Sequence, residues 1–213
     1  MKKELQGLRQ EYTKGSLDVN DLPENPLEAF EIWYSEYASL NQPDTNAMTL
    51  ATASSSGQPS ARIVLLKGIY NEGFEFYTNY DSDKGKDIAF NPKVALLFYW
   101  TPLQRQVRVE GKAIKMTKEE SEAYFKIRPI ESQWGAWASD QSHEIKDRDV
   151  LQEKFLEIKE KFGTEVPLPP NWGGYRIIPS HFEFWQGRAS RLHDRVVYEK
   201  EGEEVWVKKR LAP

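Results

Sequence analysis

The stretch "AMTLATASSSGQPSARIVLLKG", residues 47–68, has the pattern of two strands, 47–53 and 60–68, joined by a short loop. Apolar and β-branched residues fill both ends, and Ser56-Gly57 between them is a turn signal. A loop this short favours antiparallel pairing of the strands on either side of it. The stretch therefore predicts the start of an antiparallel sheet.

The same alternation of strands and turn signals continues along the chain. Further strands are predicted at 73–79, 93–100, 105–116, near 173–178 and 181–186, and in a closing hairpin of 191–199 and 203–210. No repeat, linker or shift in composition marks a boundary. We therefore expect one domain over residues 1–213, mainly β with surrounding helices (α+β), in which helices pack around an antiparallel β-barrel.

Helix signals stand between these strands. Asn25 and Pro26 have the pattern of a helix start, and Thr117 with Glu120 forms a capping box for a helix that runs through Ile127. Residues 147–163 have the pattern of an amphipathic helix ended by Gly163. Residues 1–20 are expected to form an N-terminal helical segment.

Composition narrows the possible functions. The chain has 213 residues, 39% of them hydrophobic and 13% aromatic, which is enough for a packed core. Its formal charge of −4, from 29 basic and 33 acidic side chains, argues against electrostatic binding to nucleic acid. There is no cysteine, and the three histidines lack the spacing of a metal site. We therefore expect no metal, and a bound organic cofactor as the source of any chemistry.

The N-terminus, "MKKELQGLRQEYTKG", lacks the apolar run of a signal peptide. No stretch of the chain approaches the apolar length of a transmembrane helix. We therefore expect a cytoplasmic protein that does not associate with membranes.

Two groups of polar side chains stand near the ends of predicted strands. Arg62 and Lys67 flank an apolar strand and point to opposite faces unless the strand bends or ends near Lys67. Thr78 ends another strand, and the loop after it leads into a helix that carries Lys84. A helix start, a hydroxyl and an ammonium group together suit a phosphate. Charged strand ends and an ordinary capped turn are the alternatives.

A third group lies on the helix that begins after Thr117. Tyr124 and Arg128 are four residues apart on one face, and Ser132 follows four residues later. A phenol, a guanidinium and a hydroxyl are all donors, as a phosphate dianion requires. The alternative is a solvated helix face with Tyr124 partly buried.

A fourth group ends the segment "FEFWQGRASRLHDR", residues 182–195. If residues 191–197 form a strand, then Arg191, His193 and Arg195 share one face of it. Like charges two residues apart repel each other unless an anion lies between them. This pattern favours an anion site over a solvated hairpin.

These motifs occur together in a known family. In order and approximate spacing, the chain resembles the pyridoxamine/pyridoxine 5′-phosphate oxidases through "RQEYTKG", "RIVLLK", "FYTN", "RQVRVEGKA", "VPLP", "WGG", "EFWQG", "RLHDR" and the terminal "RLAP". The resemblance covers nearly the whole chain. It implies an FMN-binding split β-barrel and a homodimer that holds FMN at its subunit interface.

The resemblance also implies which residues bind each ligand. Arg62 and Lys84 would meet the FMN phosphate, and Arg191 and His193 would lie over the pyridine ring of the substrate as the catalytic residues. The FMN site, drawn from both chains, would consist of Arg62, Ile63, Val64, Leu65, Leu66, Lys67, Tyr77, Thr78, Lys84, Gln106, Gln141, Ser142, Trp185 and Arg195. The substrate site would consist of Lys67, Tyr124, Arg128, Ser132, Arg191 and His193.

The implied activity is oxidation of pyridoxamine 5′-phosphate and pyridoxine 5′-phosphate to pyridoxal 5′-phosphate, in vitamin B6 biosynthesis or salvage. A hydride equivalent would pass from the substrate to the flavin, and O2 would be reduced to H2O2. Either Arg191 or His193 would handle the proton, and the sequence does not rank the two.

Two positions differ from the usual pattern of the family. Members usually read Ser-Arg-Lys where this chain has Ser82-Asp83-Lys84, so an acid stands in place of an arginine expected to contact phosphate. Lys86 is a candidate to compensate. Gln10 replaces a common arginine in the N-terminal motif.

Two other functions remain open. The first is a non-catalytic carrier of flavin or pyridoxal phosphate on the same barrel. The second is a β-barrel that binds single-stranded nucleic acid through aromatic residues and the basic strand "RQVRVEGK". The net charge disfavours the second.

Overall fold

The computed structural model describes residue 7 and residues 11–70, 73–202 and 205–213. The α-helices with both ends among these residues are α1 Pro26–Ala38, α2 Asp83–Phe90, α3 Lys118–Ile127, α4 Ile130–Ala138 and α5 Arg148–Phe162. The strands are β1 Ala47–Ala53, β2 Pro59–Leu65, β3 Gly68–Tyr70, β4 Gly73–Asn79, β5 Lys93–Trp100, β6 Arg105–Lys115, β7 Trp172–Gln186, β8 Asp194–Glu201 and β9 Val205–Leu211. None of the described helices is long and apolar enough to cross a membrane.

The nine strands belong to one sheet. Its order is β2-β1-β5-β6-β7-β4-β3, and β8 pairs with both β7 and β9. The long strand β7 has two antiparallel partners in succession: Trp172 to Ile177 pair with β4, and His181 to Gln186 pair with β8. The antiparallel sheet and the helices between its strands agree with the predicted fold class.

Contacts between residues divide the chain into two compact units. The first comprises the described residues of Met1–Thr49, Ala95–Glu110 and Pro179–Pro213, and the second those of Leu50–Val94 and Gly111–Ile178. The expectation of a single domain over 1–213 stays a prediction.

The first unit has an aromatic core built on α1. Phe30 and Trp33 are three residues apart, so they lie on the same face of the helix. The ring centroid of Phe30 lies 4.8 Å from that of Phe98, and that of Trp33 lies 5.1 Å from that of Phe184. Edge-to-face pairs of this kind are favourable beyond the area they bury. Helix α1 begins as predicted, because Asn25 accepts a hydrogen bond from the Leu27 N–H and Pro26 follows it.

The second unit has a core formed by helices against the start of β7. Phe125, Trp134, Val166 and Trp172 are buried together. The capping box predicted for α3 is confirmed, since Thr117 accepts from the Glu120 N–H and Glu120 accepts from the Thr117 N–H. This cap fixes where α3 starts, and the helix then carries Tyr124 and Phe125 towards Trp172.

Several expectations about secondary structure differ from the structure. The strand predicted over residues 60–68 ends at Leu65, and Gly68–Tyr70 form a separate strand, β3. Residues 173–178 and 181–186 belong to one strand, because Pro179 lies between the residues that pair with β4 and those that pair with β8, where its missing N–H interrupts neither pairing. Helix α4 has no predicted counterpart. Of the predicted N-terminal segment, residues 1–6 and 8–10 lie outside the described residues, residues 11–18 are not helical, and Val19–Asp21 form a short 3-10 helix.

Candidate active site

The second unit contains a cavity of about 580 Å³, a size typical of small-molecule sites. Its wall includes eleven of the residues predicted for the FMN and substrate sites. These are Ile63, Val64, Leu65, Lys67, Tyr77, Thr78, Lys84, Tyr124, Arg128, Ser132 and Gln141. Residues that are up to 78 positions apart in the sequence, Ile63 and Gln141, therefore line one space.

One wall is the end of β2. The strand stops at Leu65, and the Lys67 N–H donates to the Glu75 carbonyl at 2.8 Å, so Lys67 lies outside the alternation of β2. The sequence allowed Arg62 and Lys67 to share a face only if the strand bends or ends near Lys67. In the structure the strand ends there. Leu66 is 7% exposed and points into the core, so its side chain does not line the cavity.

Lys84 lines the cavity, and its side chain is buried at the start of α2. Its Nζ donates to three neutral oxygens, of Thr78 at 3.3 Å, Ser82 at 3.2 Å and Gln141 at 3.4 Å. No carboxylate lies within ion-pair distance of it in the described part of the chain. Burial and the nearby charge of Arg62 lower the pKa of Lys84. A buried ammonium group with only long hydrogen bonds suits an anionic ligand.

Arg62 stands close to Lys84 but is held by the protein. Its guanidinium donates to the Thr52 hydroxyl at 2.8 Å, the Leu50 carbonyl at 3.2 Å and the Ser60 hydroxyl at 2.9 Å. It lies 3.9 Å from the Asp87 carboxylate. Burial lowers the pKa of Arg62, and Asp87 opposes that effect. These contacts fix the position of a second positive charge near the lysine.

The remaining predicted residues near Lys84 lie in the loop after α4. The Gln141 side chain accepts from the Thr78 hydroxyl at 3.3 Å, and the Ser142 hydroxyl accepts from the Asp83 N–H at 3.2 Å. The loop after α4 therefore meets the start of α2. Ser142 itself does not line the cavity.

Aromatic side chains and Arg128 also line the cavity. Rings of Tyr77 and Tyr124 stack at 3.9 Å, and Tyr77 stacks on Trp172 at 5.6 Å. The Arg128 guanidinium lies 4.6 Å from the centre of the Trp172 ring. Its Nη1 is buried and has no hydrogen-bond partner among the described residues. An orphaned buried donor at a cavity wall is the second feature here that suits an anion.

The other predicted residues belong to the first unit. Trp185 and Arg195 are cross-strand partners on β7 and β8, and the ring of His193 lies 4.7 Å from that of Trp185. Gln106 lies on β6. Arg191 is exposed in a 3-10 turn.

The predicted strand over residues 191–197 is wrong at its start. Strand β8 begins at Asp194, and Ser190 and Arg191 have positive φ values of 56° and 62°. Arg191 therefore does not alternate with Arg195 on one face. Arg195 is also paired, because its guanidinium donates to both carboxylate oxygens of the buried Glu183, at 2.8 Å and 3.0 Å. Among the described residues Arg191 has no charged partner, whereas Arg195 is paired with Glu183.

Two aromatic residues that the sequence did not single out for the site belong to these groups. Trp172 forms part of the cavity wall, and the only signal for it was its place in the motif "WGG". Tyr12 packs its ring 5.7 Å from the rings of both Trp185 and His193. It lies in the quoted motif "RQEYTKG", but nothing local indicates which residues it would meet.

Comparison with known proteins identifies related chains. Residues 37–162 match the family model for pyridoxamine 5′-phosphate oxidase, and residues 172–213 match that for the pyridoxine 5′-phosphate oxidase C-terminal dimerisation region. A pyridoxine/pyridoxamine 5′-phosphate oxidase of Cupriavidus necator is 52% identical over 210 residues, 99% of each chain. The protein of the same name from Burkholderia thailandensis is 51% identical over 211 residues, 98% of this chain and 99% of the other.

Two solved structures are similar in fold. PhzG from Burkholderia lata 383, solved in complex with tetrahydrophenazine-1-carboxylic acid, has a TM-score of 0.87 and 30% identity over 93% of this chain and 100% of that chain. A pyridoxamine 5′-phosphate oxidase-related, FMN-binding protein from Nostoc punctiforme has a TM-score of 0.70 and 16% identity, with the same coverage. The predicted split-barrel class is confirmed. With both family models matched and half of its residues shared with full-length relatives, the chain belongs to the pyridoxamine 5′-phosphate oxidase family of oxidoreductases.

Proposed function

We propose that this protein is an FMN-dependent oxidase that converts pyridoxamine 5′-phosphate and pyridoxine 5′-phosphate to pyridoxal 5′-phosphate. When bound, FMN supplies the acceptor for two electrons from the substrate, which then reduce O2 to H2O2. The protein residues bind and orient the two phosphorylated rings.

One observation carries the proposal: two cations that line the same cavity have no anionic partner among the described residues. Lys84 is buried without a carboxylate partner, and Arg128 has a buried N–H that meets no acceptor in that part of the chain. Leaving either charge buried and unpaired is unfavourable, so both positions suit phosphate groups. The stacked aromatic rings that line the same cavity suit flat rings.

The roles of individual residues follow from these positions. Lys84 and Arg62 would hold the FMN phosphate, with Thr78 and Gln141 beside it. Arg128, with Tyr124, Ser132 and Lys67, would hold the substrate phosphate. Trp185, Gln106 and Arg195 are proposed to complete the FMN site in a homodimer, with Arg191 and His193 over the substrate ring.

The homodimer is supported by the match of residues 172–213 to a dimerisation region. Exposed apolar side chains in the second unit, among them Ile63 at 64% and Ile127 at 77%, suit burial against another chain. Sedimentation at the monomer mass of 24.8 kDa under assay conditions would contradict it.

The decisive experiment is spectroscopic. We expect the purified protein to be yellow with bound FMN, to lose its colour when pyridoxamine 5′-phosphate is added without oxygen, and to regain it in air. Unphosphorylated pyridoxamine at the same concentration is the control and should act far more slowly. A yellow protein whose spectrum the substrate leaves unchanged would support the carrier function instead, and a protein that binds no FMN would refute the proposal.

A second candidate follows from the structural similarity to PhzG, whose solved complex holds a ring carboxylic acid. A carboxylate carries one negative charge, whereas a phosphate dianion carries two. The cavity wall has the two cations Lys67 and Arg128, which suits the phosphate better. Assaying both substrate types side by side separates the two activities.

The acid at position 83 leads to a prediction about cofactor affinity. Asp83 is the exposed first residue of α2, and its charge acts on both Lys84 and Arg62. Asp83→Asn should tighten FMN binding by about threefold to tenfold at low salt, because it removes repulsion of the phosphate from a solvent-screened position. Titration of the cofactor-free protein with FMN measures the change.

Glu119→Gln is the matched control, since Glu119 is an exposed acid in the first turn of α3 and does not line the cavity. It should leave FMN affinity unchanged. Raising the salt concentration should shrink the gain from Asp83→Asn. Equal affinities for Asp83→Asn and the natural protein at low salt would show that Asp83 does not weaken the site.

A further inference from the structure

His193 is held in one orientation by the loop that carries it. Gln186 and Asp194 are cross-strand partners, so residues 187–193 form the connection between β7 and β8. Inside this loop the Arg188 backbone N–H donates to Nδ1 of His193 at 3.1 Å. The loop is anchored at its start, because the Gly187 N–H donates to the Gln104 carbonyl at 2.8 Å. The hydrogen bond from Arg188 to His193 thus links the two ends of residues 188–193, a short segment that is held in place at Gly187.

Two rings hold the imidazole in place. Trp185 lies 4.7 Å from it with an interplanar angle of 44°, and Tyr12 lies 5.7 Å from it at 64°. Rotating the imidazole by half a turn would put a carbon where Nδ1 now accepts the Arg188 N–H. That N–H would then lose its partner, which is unfavourable for a half-buried donor.

We propose that neutral His193 carries its proton on Nε2. A backbone N–H can only donate, so Nδ1 must offer a lone pair to it and cannot hold the proton of the neutral ring. Nε2 has no hydrogen-bond partner among the described residues and therefore presents a free N–H. Of the two ring nitrogens, only Nε2 is available to a ligand, and it is a donor.

The consequence for catalysis rests on the proposed function. His193 would donate a hydrogen bond from Nε2 to a lone pair of the bound substrate, and would not act as the base that takes a proton from it. To take a proton at Nε2, the ring would first have to move its own proton to Nδ1, and it would then become an imidazolium. In both states a proton on Nδ1 would face the Arg188 N–H. The Arg188 main chain is in this sense a positioning group that acts through His193.

Nuclear magnetic resonance tests the tautomer without any substrate or activity. With ¹⁵N-labelled histidine, long-range ¹H–¹⁵N correlations of the imidazole rings distinguish the two neutral tautomers from the cation. The chain has three histidines, His143, His181 and His193, and the spectrum of His193→Gln identifies the signals of the third. At a pH where the His193 ring is neutral we expect the Nε2–H pattern. An Nδ1–H pattern or an averaged mixture of tautomers would overturn the proposal.

A pair of variants tests the role. In His193→Gln the amide nitrogen can reach the place of Nε2 and donate, whereas in His193→Asn the amide oxygen can replace only Nδ1 as acceptor. If His193 serves as a donor, kcat/KM of the Gln variant should exceed that of the Asn variant by about tenfold, the value of one hydrogen bond. Equal losses in both would show that the donor is not what the reaction uses. If the natural protein does not oxidise pyridoxamine 5′-phosphate at all, the proposed function fails, while the spectra still decide the tautomer.

Discussion

Arg128→Ala is expected to raise KM for pyridoxamine 5′-phosphate about 30-fold while kcat changes by less than about threefold. The guanidinium lies over Trp172 at the cavity wall, and its buried Nη1 meets no acceptor among the residues that the structure describes. A phosphate there would therefore gain charge-assisted hydrogen bonds. One such contact contributes about 2 kcal/mol, which corresponds to the 30-fold change. The effect falls on KM because the phosphate is remote from the carbon that reacts and is held equally in the ground and transition states.

Two controls make the result specific. Lys126→Ala removes a neighbouring exposed cation that pairs with Glu122 at 2.8 Å, and should leave KM unchanged. Unphosphorylated pyridoxamine lacks the group that Arg128 would hold, so Arg128→Ala should barely alter kcat/KM for it. An unchanged KM for the phosphorylated substrate would remove Arg128 from the phosphate site.

Lys84→Met is expected to weaken FMN binding about 10-fold to 150-fold while leaving the cofactor-free protein as stable as before or more stable. The affinity loss is that of one hydrogen bond to a charged group. The stability effect has the opposite sign because Lys84, without an anion, is a buried charge with three long hydrogen bonds to neutral oxygens. Methionine fills a similar volume without that charge. Ser82 keeps a partner, since its hydroxyl donates to the Asn79 carbonyl at 2.7 Å.

The pH dependence of stability also indicates that the charged form of Lys84 destabilises the cofactor-free protein. Burial makes the pKa of Lys84 lower in the folded protein than its ordinary value. Between these two values the unfolded chain binds a proton that the folded chain does not, so the free energy of unfolding rises as pH rises through that window. Below the window the charged lysine destabilises the cofactor-free fold. Lys84→Met should flatten this part of the stability profile.

Thermal unfolding of the cofactor-free proteins and titration with FMN measure both effects. Lys86→Met is the matched control, because Lys86 is exposed on the same helix two residues later and does not line the cavity. It should change neither quantity strongly, and a large loss of FMN affinity would instead show that Lys86 compensates for Asp83. A fall in the melting temperature of Lys84→Met by several degrees would contradict the view of Lys84 as an unpaired buried charge.

Local patterns were enough for most of the secondary structure. Strands β1, β4 and β5 have the predicted bounds, because alternating burial and flanking turn residues act over a few neighbouring positions. Helix α3 begins where its capping box predicted, since Thr117 and Glu120 satisfy each other's backbone. Helix α4 lacked such a signal: its N-cap is Pro129, which makes no side-chain cap hydrogen bond.

The candidate site was predictable in part. Motif resemblance pointed to Lys84, Tyr124 and Arg128, and the structure brings all three to one cavity. The interpretation of residues 191–197 failed because Ser190 and Arg191 adopt positive φ without a glycine to indicate it. The pairing of Arg195 with Glu183 also could not be inferred from neighbouring residues alone, since it depends on the register between β7 and β8.

The order of residues by itself determined where strands alternate, where α1 and α3 are capped, and to which family the chain belongs, because these depend on neighbours or on motif identity. Only the tertiary structure decided which cations lack an anionic partner among the described residues. Lys84 and Arg128 are 44 positions apart, and Arg62, which is also a cation, is held by Thr52 and Ser60. Whether a buried cation has a partner is a property of the space around it, and that space is formed by segments distant in the chain.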